Sequence, residues 1–157
     1  MRFYDKFNRS LEILLIFLTS ILVIDVLWQV SSRYLLKSPS SFTDELAGYL
    51  LIWVSLLGAS YVTGTREHLA IDILIQRSKP SRQRILGIII QSVILGFSFS
   101  VLVIGGSWLV YTRFYLGVKS AALQLPLGYV YIVLPLSGLI IVYYSIHHLI
   151  AIIKNRE

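Results

Sequence analysis

The residue of this sequence best placed to do chemistry is a carboxylate inside an apolar stretch. Asp25 lies within the run from Ile13 to Ser32, which holds no other charged residue. Holding a charged side chain in hydrocarbon costs on the order of 3 kcal/mol on insertion scales, so Asp25 needs a partner or a purpose. On a helix Asp25, Trp28, Gln29 and Ser32 fall at i, i+3, i+4 and i+7 and make one polar stripe turned from lipid. The stripe fits a proton or cation site. It fits a packing role better, because Asp25 is only about two turns from the end of its run and reaches water or a neighbouring hydroxyl there.

Other ionisable residues gather at the ends of apolar runs. Arg33 closes the first run, and Asp44 and Glu45 open the second across a short loop rich in Ser and Pro. Acidic groups at a helix amino terminus are favoured by the dipole, and Arg33 is within reach of both. One reading is a clamp between the first two helices; another is a charged docking patch for an extracytoplasmic partner. His68 sits beside Arg66 and Glu67, and His147 and His148 lie near the end of the chain. All three histidines fall on one predicted side of the membrane, which fits haem ligation across a bundle poorly. The sequence has no cysteine, which removes disulfides, thiolate metal sites and Cys-attached haem. No phosphate loop or nucleophile with its base is present, so the chain reads as a non-enzyme without a cofactor of its own.

The elements carrying these residues are set by the solvent they need. With 56% hydrophobic and 14% charged residues in 157, the chain reads as one domain, residues 1–157, dissolved in a bilayer. Four apolar runs, Leu11–Ser32, Leu46–Thr65, Ile85–Thr112 and Leu125–Ile153, satisfy the length of about 20 residues that crosses the hydrocarbon. Backbone groups in lipid must be bonded within each span, so all four are predicted as helices, an all-α fold of four tilted transmembrane segments. The two longer runs exceed the bilayer and must tilt or protrude. The first run has a basic opening like that of a signal peptide, but it is too long and no small-residue cleavage site follows. A retained helix is expected.

Lys and Arg are divided unevenly between the two sides. Arg2, Lys6, Arg9, Arg66, Arg77, Lys79, Arg82, Arg84, Lys154 and Arg156 lie on one side, ten against the four of Arg33, Lys37, Arg113 and Lys119. The ten-residue side is therefore expected to be cytoplasmic, with both termini inside. The net charge of +6 is explained by lipid headgroups and topology, and nucleic acid is not an expected partner. Trp28, Tyr34, Trp108, Tyr111, Tyr115, Tyr129 and Tyr131 form an interfacial belt near the outer ends. Pro126 is placed in the first turn of the fourth helix, and Pro135 bends that helix. His68–Arg77 is too short to cross and reads either as an interfacial helix or as a continuation of helix two. Small residues recur every four positions as Ser55, Ala59 and Thr63 and as Ser92, Gly96 and Ser100, stripes that let helices approach closely.

The order of these features resembles a known family over essentially the whole chain. It comprises four spans, Arg33 before the pair Asp44-Glu45, then Trp53, Gly58-Ala59 and Arg66-Glu67-His68. Ala122-Leu123-Gln124-Leu125-Pro126-Leu127-Gly128-Tyr129-Val130-Tyr131, followed by Leu134-Pro135-Leu136-Ser137-Gly138, carries the likeness furthest. Together they resemble the small membrane subunit of tripartite ATP-independent periplasmic (TRAP) transporters. The family often has Trp before the acidic pair and two Glu in it, where this chain has Phe42-Thr43-Asp44-Glu45. The charge is preserved.

The resemblance implies an inner-membrane complex with a soluble periplasmic binding protein and a large multi-span subunit. The large subunit would hold the sodium and organic-anion sites, for sialic acid or a C4-dicarboxylate, and move cargo in an elevator fashion. This chain would enlarge the static scaffold and help dock the binding protein, with no substrate site of its own. Asp25, Gln29, Arg33, Asp44, Glu45, Trp53, Arg66 and His68 are then candidate interface or structural residues. Two alternatives remain open: a stand-alone proton-coupled exporter working as a homodimer around Asp25, and an anchor subunit of a redox complex.

Overall fold

A computed structural model describes residues 2–35, 37, 40–65 and 80–154. The four apolar runs are helical, and each is long and apolar enough to cross a membrane. The spans are Lys6–Tyr34, Ser41–Thr65, Gln83–Tyr115 and Leu127–Lys154, 25 to 33 residues each. At about 1.5 Å per residue even the shortest is longer than the ~30 Å hydrocarbon, so tilt or protrusion is built in.

The first span is α1 (Arg2–Tyr34), which begins well before its apolar run, and the second is α2 (Ser41–Thr65). The third runs without interruption through α3 (Pro80–Phe97), a π-helical segment (Ser98–Gly105) and α4 (Gly106–Tyr115). Pro80 opens α3 at the position where a missing N–H costs nothing. Arg82 and Arg84 thus belong to the helix and not to the loop before it, and Arg84 reaches across to the Ile153 carbonyl at 3.3 Å. In the π segment the turn is wider, as shown by the Gly106 N–H donating to Val101 O five residues back.

The fourth span is two helices, α5 (Leu127–Tyr131) and α6 (Val133–Lys154). Pro135 has no N–H to give to the Tyr131 carbonyl, and its ring crowds that carbonyl. The ladder accordingly breaks at Ile132, then resumes with Leu136 N–H to Ile132 O at 3.2 Å. Pro126 lies before the first turn and not in it, an extended residue at φ −60° and ψ 119° that caps α5.

The helices stand in a row, in the order first, second, fourth, third. α1 packs on α2, α2 on α6, α6 on α3 and the π segment, and α4 on α5. The middle of the row is formed by Leu57 and Val133, both fully buried, with Leu11 joining from α1. Of the small-residue stripes only Thr63 is buried in these contacts. Ser55, Ala59, Ser92, Gly96 and Ser100 are exposed, and a Cβ at Gly96 would meet nothing within 4 Å. Close approach occurs elsewhere, because which face of a helix is inward depends on its neighbours. At Gly64 a Cβ would lie 2.7 Å from Cζ of Tyr144, and at Gly138 it would lie 2.7 Å from Cβ of Leu102.

Several polar side chains in the row are bonded to backbone carbonyls or to each other, as a low-dielectric setting favours. Ser60 donates to Leu56 O at 2.9 Å and lies 3.2 Å from Ser137 O on α6. His148, buried, meets Thr63 O at 3.0 Å through Nε2, which must therefore carry a proton. The Tyr144 hydroxyl donates to Asn8 Oδ1, and the Tyr4 hydroxyl to Gly64 O. These bonds pin the start of α1 onto the far ends of α2 and α6.

Two glycine substitutions separate filled from open space. Gly64→Ala is expected to lower stability by about 1–3 kcal/mol, since the Tyr144 ring is held by its own hydroxyl and cannot step aside. Gly96→Ala is expected to be neutral or slightly stabilising, as Ala has the better helix propensity. Thermal midpoints of the two variants in detergent check the contrast.

Candidate functional site

At the end of the row where the two short connections lie, the candidate residues of α1 and α2 come together with the 116–126 loop. α1 and α2 run antiparallel across a connection of only a few residues, which returns Gln29 to the level of Asp44. The Gln29 side-chain amide donates to Asp44 Oδ1. Arg33, exposed one turn further along, makes no ion pair with Asp44 or Glu45 among the described residues. The tie between the first two helices is thus made by a neutral amide where an arginine was expected. Asp44 sits in the first turn of α2, where its charge favours the helix dipole.

Glu45 faces the other way and braces the loop. Its Oε1 accepts the Ala121 N–H at 2.8 Å and its Oε2 accepts the Leu123 N–H at 3.0 Å. A carboxylate holding two backbone amides of one loop fixes that loop in place, and bonds to a charged acceptor are the strong ones. The loop closes on itself through Ser120 N–H to Leu125 O at 2.9 Å, Leu125 N–H to Ser120 Oγ at 3.2 Å and Leu127 N–H to Val118 O at 2.9 Å. Gln124 takes the left-handed conformation at φ 55°, and its amide donates to Ala121 O at 3.0 Å. Glu45 is therefore committed to holding the loop.

Trp53 is half-buried between α2 and the fourth span, with Nε1 donating to Val130 O at 3.0 Å. This bond satisfies a carbonyl close to the break at Ile132. Asp25 and Ser32 are buried and Gln29 is half-buried, whereas Trp28 is 58% exposed. The stripe read from the sequence therefore holds for the three polar residues, with Trp28 turned outward. Trp108, Tyr111 and Tyr115 line up on the outer face of α4, successive rings about 6 Å apart. Tyr131 is half-buried beneath the Arg113 guanidinium at 5.8 Å. Arg66, His68 and the short 68–77 segment lie outside the described residues.

Among the described residues the site sets no reactive group beside a base. It is a braced polar platform that shows Arg33, Lys37, Asp44, Lys119 and Gln124 to its surroundings, charges of both signs suited to holding another protein. The loop brace was not visible in the sequence, because Glu45 and its two amides are separated by 76 and 78 positions and backbone donors carry no sequence mark.

Comparison with known proteins agrees over the chain's length. Residues 3–155 match the family described as tripartite ATP-independent periplasmic transporters, DctQ component. A Haemophilus influenzae protein described as a TRAP transporter small permease is 32% identical over 136 residues, covering 85% of this chain and 81% of that protein. The C4-dicarboxylate TRAP transporter small permease protein DctQ of Pseudomonas aeruginosa is 25% identical over 125 residues, covering 78% of this chain and 59% of its own length.

Replacing Glu45 by Gln leaves one loop N–H facing an amide NH2. The cost of such an unmet donor is about 1–3 kcal/mol. Hydrogen exchange at Ala121 and Leu123 is accordingly expected to accelerate by roughly 5- to 150-fold, with amides in the middle of α6 unchanged.

Proposed function

This chain belongs to the DctQ component family of tripartite ATP-independent periplasmic transporters, and from that premise we propose that it is the static scaffold of a sodium-coupled organic-anion importer. It is a small permease subunit of the inner membrane. Its partners in this reading are a large membrane subunit, which carries substrate and sodium, and a periplasmic binding protein, which docks on the braced platform around Asp44. Both termini face the cytoplasm, following the uneven division of Lys and Arg.

The open row of helices supports the static role. A chain that conducted solute by itself would need a path lined by its own polar groups. Here the packed faces are filled by Leu57, Val133 and Tyr144 and by hydroxyls already bonded to carbonyls. Asp25 apart, the charged side chains among the described residues stand within about two turns of the span ends. An elevator-type carrier needs a broad, tilted frame that lipid resists dragging, and a row offers more lipid-facing area than a closed bundle does. The cargo is an organic anion of the sialic acid or C4-dicarboxylate type, with the dicarboxylate suggested by the name of the Pseudomonas aeruginosa relative.

Two measurements test this reading. In vesicles, uptake of sialic acid or a C4-dicarboxylate driven by a sodium gradient is expected only with the large subunit and binding protein present. Uptake or drug export by vesicles holding this chain alone would instead favour the homodimeric exporter. Because the chain has no cysteine, topology is open to labelling. A cysteine at Lys119 is expected to react with an impermeant maleimide in spheroplasts, and one at Lys154 only after lysis.

A further inference from the structure

Among the described residues Asp25 is the one carboxylate with a buried oxygen that finds no hydrogen-bond partner, beside single atoms of Gln91, Arg113 and Ser145. Its side chain is only 8% exposed, and its Oδ2 is sealed from the surroundings with no hydrogen-bond partner. Gln29, one turn along, is committed to Asp44. The carboxylate lines a groove of about 380 Å³ between α1 and α2, with Ile24, Trp28, Phe42 and Thr43 among the other walls. Ile24, Trp28 and Phe42 are 67%, 58% and 51% exposed, so the groove opens sideways, in the plane of the membrane. Asp44 lies within electrostatic reach and adds a second negative charge. A carboxyl group in an apolar, aromatic-edged groove with an anion beside it stays ionised only if a cation joins it.

Two cations are at hand in a membrane, a lipid headgroup amine and a basic side chain. Depth separates them. Asp25 precedes Arg33 by eight residues, about 12 Å of helix rise below the level where α1 ends. In a phospholipid the amine stands at the level of the phosphate or outside it. For the amine to reach Asp25, the phosphate would have to follow it into an apolar slot already holding negative charge. A long basic side chain on a neighbouring helix enters at its own depth and brings no anion with it.

We propose that the α1–α2 groove is the socket for an arginine or lysine side chain carried by a membrane span of the large subunit, which pairs with Asp25 and closes the groove against lipid. The proposal rests on the reading of this chain as a subunit bound to that partner. It assigns Asp25 to assembly and not to ion coupling, and it makes the α1 edge of the row the face turned to the large subunit.

The test uses the two-subunit complex purified from membranes. A photo-reactive residue at Phe42, on the rim of the groove, is expected to cross-link to a large-subunit span containing arginine or lysine. Asp25→Asn is expected to cut co-purification of the large subunit at least about tenfold, with Asp25→Glu retaining it. Should Asp25→Asn lower the yield of this chain itself, the charge swap decides: Asp25→Lys combined with an acidic residue at the cross-linked position is expected to restore the complex. Cross-links only to lipid, or to a span without a basic residue while the complex stays intact, would overturn the socket. Failure of the unaltered chains to form a complex would overturn the scaffold reading instead.

Discussion

The fourth span carries the tertiary structure, because it packs on α2 along one side and on the whole third span along the other. Its inward face is cut to fit them. Ser137 and Gly138 admit α2 on one side and the π segment on the other, and Tyr144, Ser145 and His148 continue the buried face toward the carboxyl end. In lipid there is no apolar driving force to press helices together, so close contact and carbonyl-directed hydrogen bonds must do it. That requirement explains why so many of the fully buried side chains here are serines. A Ser hydroxyl is small enough for close approach and can return its hydrogen bond to a carbonyl one turn back.

A row built in this way has two unfinished edges. α1 and the third span each present a long apolar face that the other described residues do not cover, with large side chains such as Ile13, Phe17, Val93 and Phe99 more than half exposed. In water such faces would aggregate, whereas in a bilayer they are ordinary surface. The polar ties between spans gather at the two ends, with the buried Ser60–Ser137 O contact between them. At one, Glu45 holds the loop before α5 and Gln29 ties α1 to α2. At the other, Tyr4, Asn8, Tyr144 and His148 hold the first, second and fourth spans together. A frame pinned at both ends is well suited to standing still beside a moving partner, and Asp25 is its one buried carboxylate among the described residues.

Much of the fold was legible in the sequence. The four spans follow from length and hydropathy, and the helix break follows from Pro135, although its position at Ile132 and the separate α5 do not. Pro126 and Pro80 show the limit of local rules, since the former caps the helix it was expected to enter and the latter extends α3 backward to take in Arg82 and Arg84. For the candidate residues the record is divided. The burial of Asp25 and Ser32 and the half-burial of Gln29 followed from helical periodicity, whereas the exposure of Trp28 did not. The partner of Asp44 did not, because Arg33 and Gln29 lie only four residues apart and charge favoured the wrong one.

By itself the sequence determined the solvent, the number and class of the elements, and the family, because these depend on local composition and on residue order along the chain. Only the tertiary structure decided the row order, which glycines are filled, that Glu45 serves a loop 76 positions away, and that the stripe of Ser92, Gly96 and Ser100 faces outward. Those facts depend on which face of each helix its neighbours select, and a helix that is apolar all round gives no local sign of that choice.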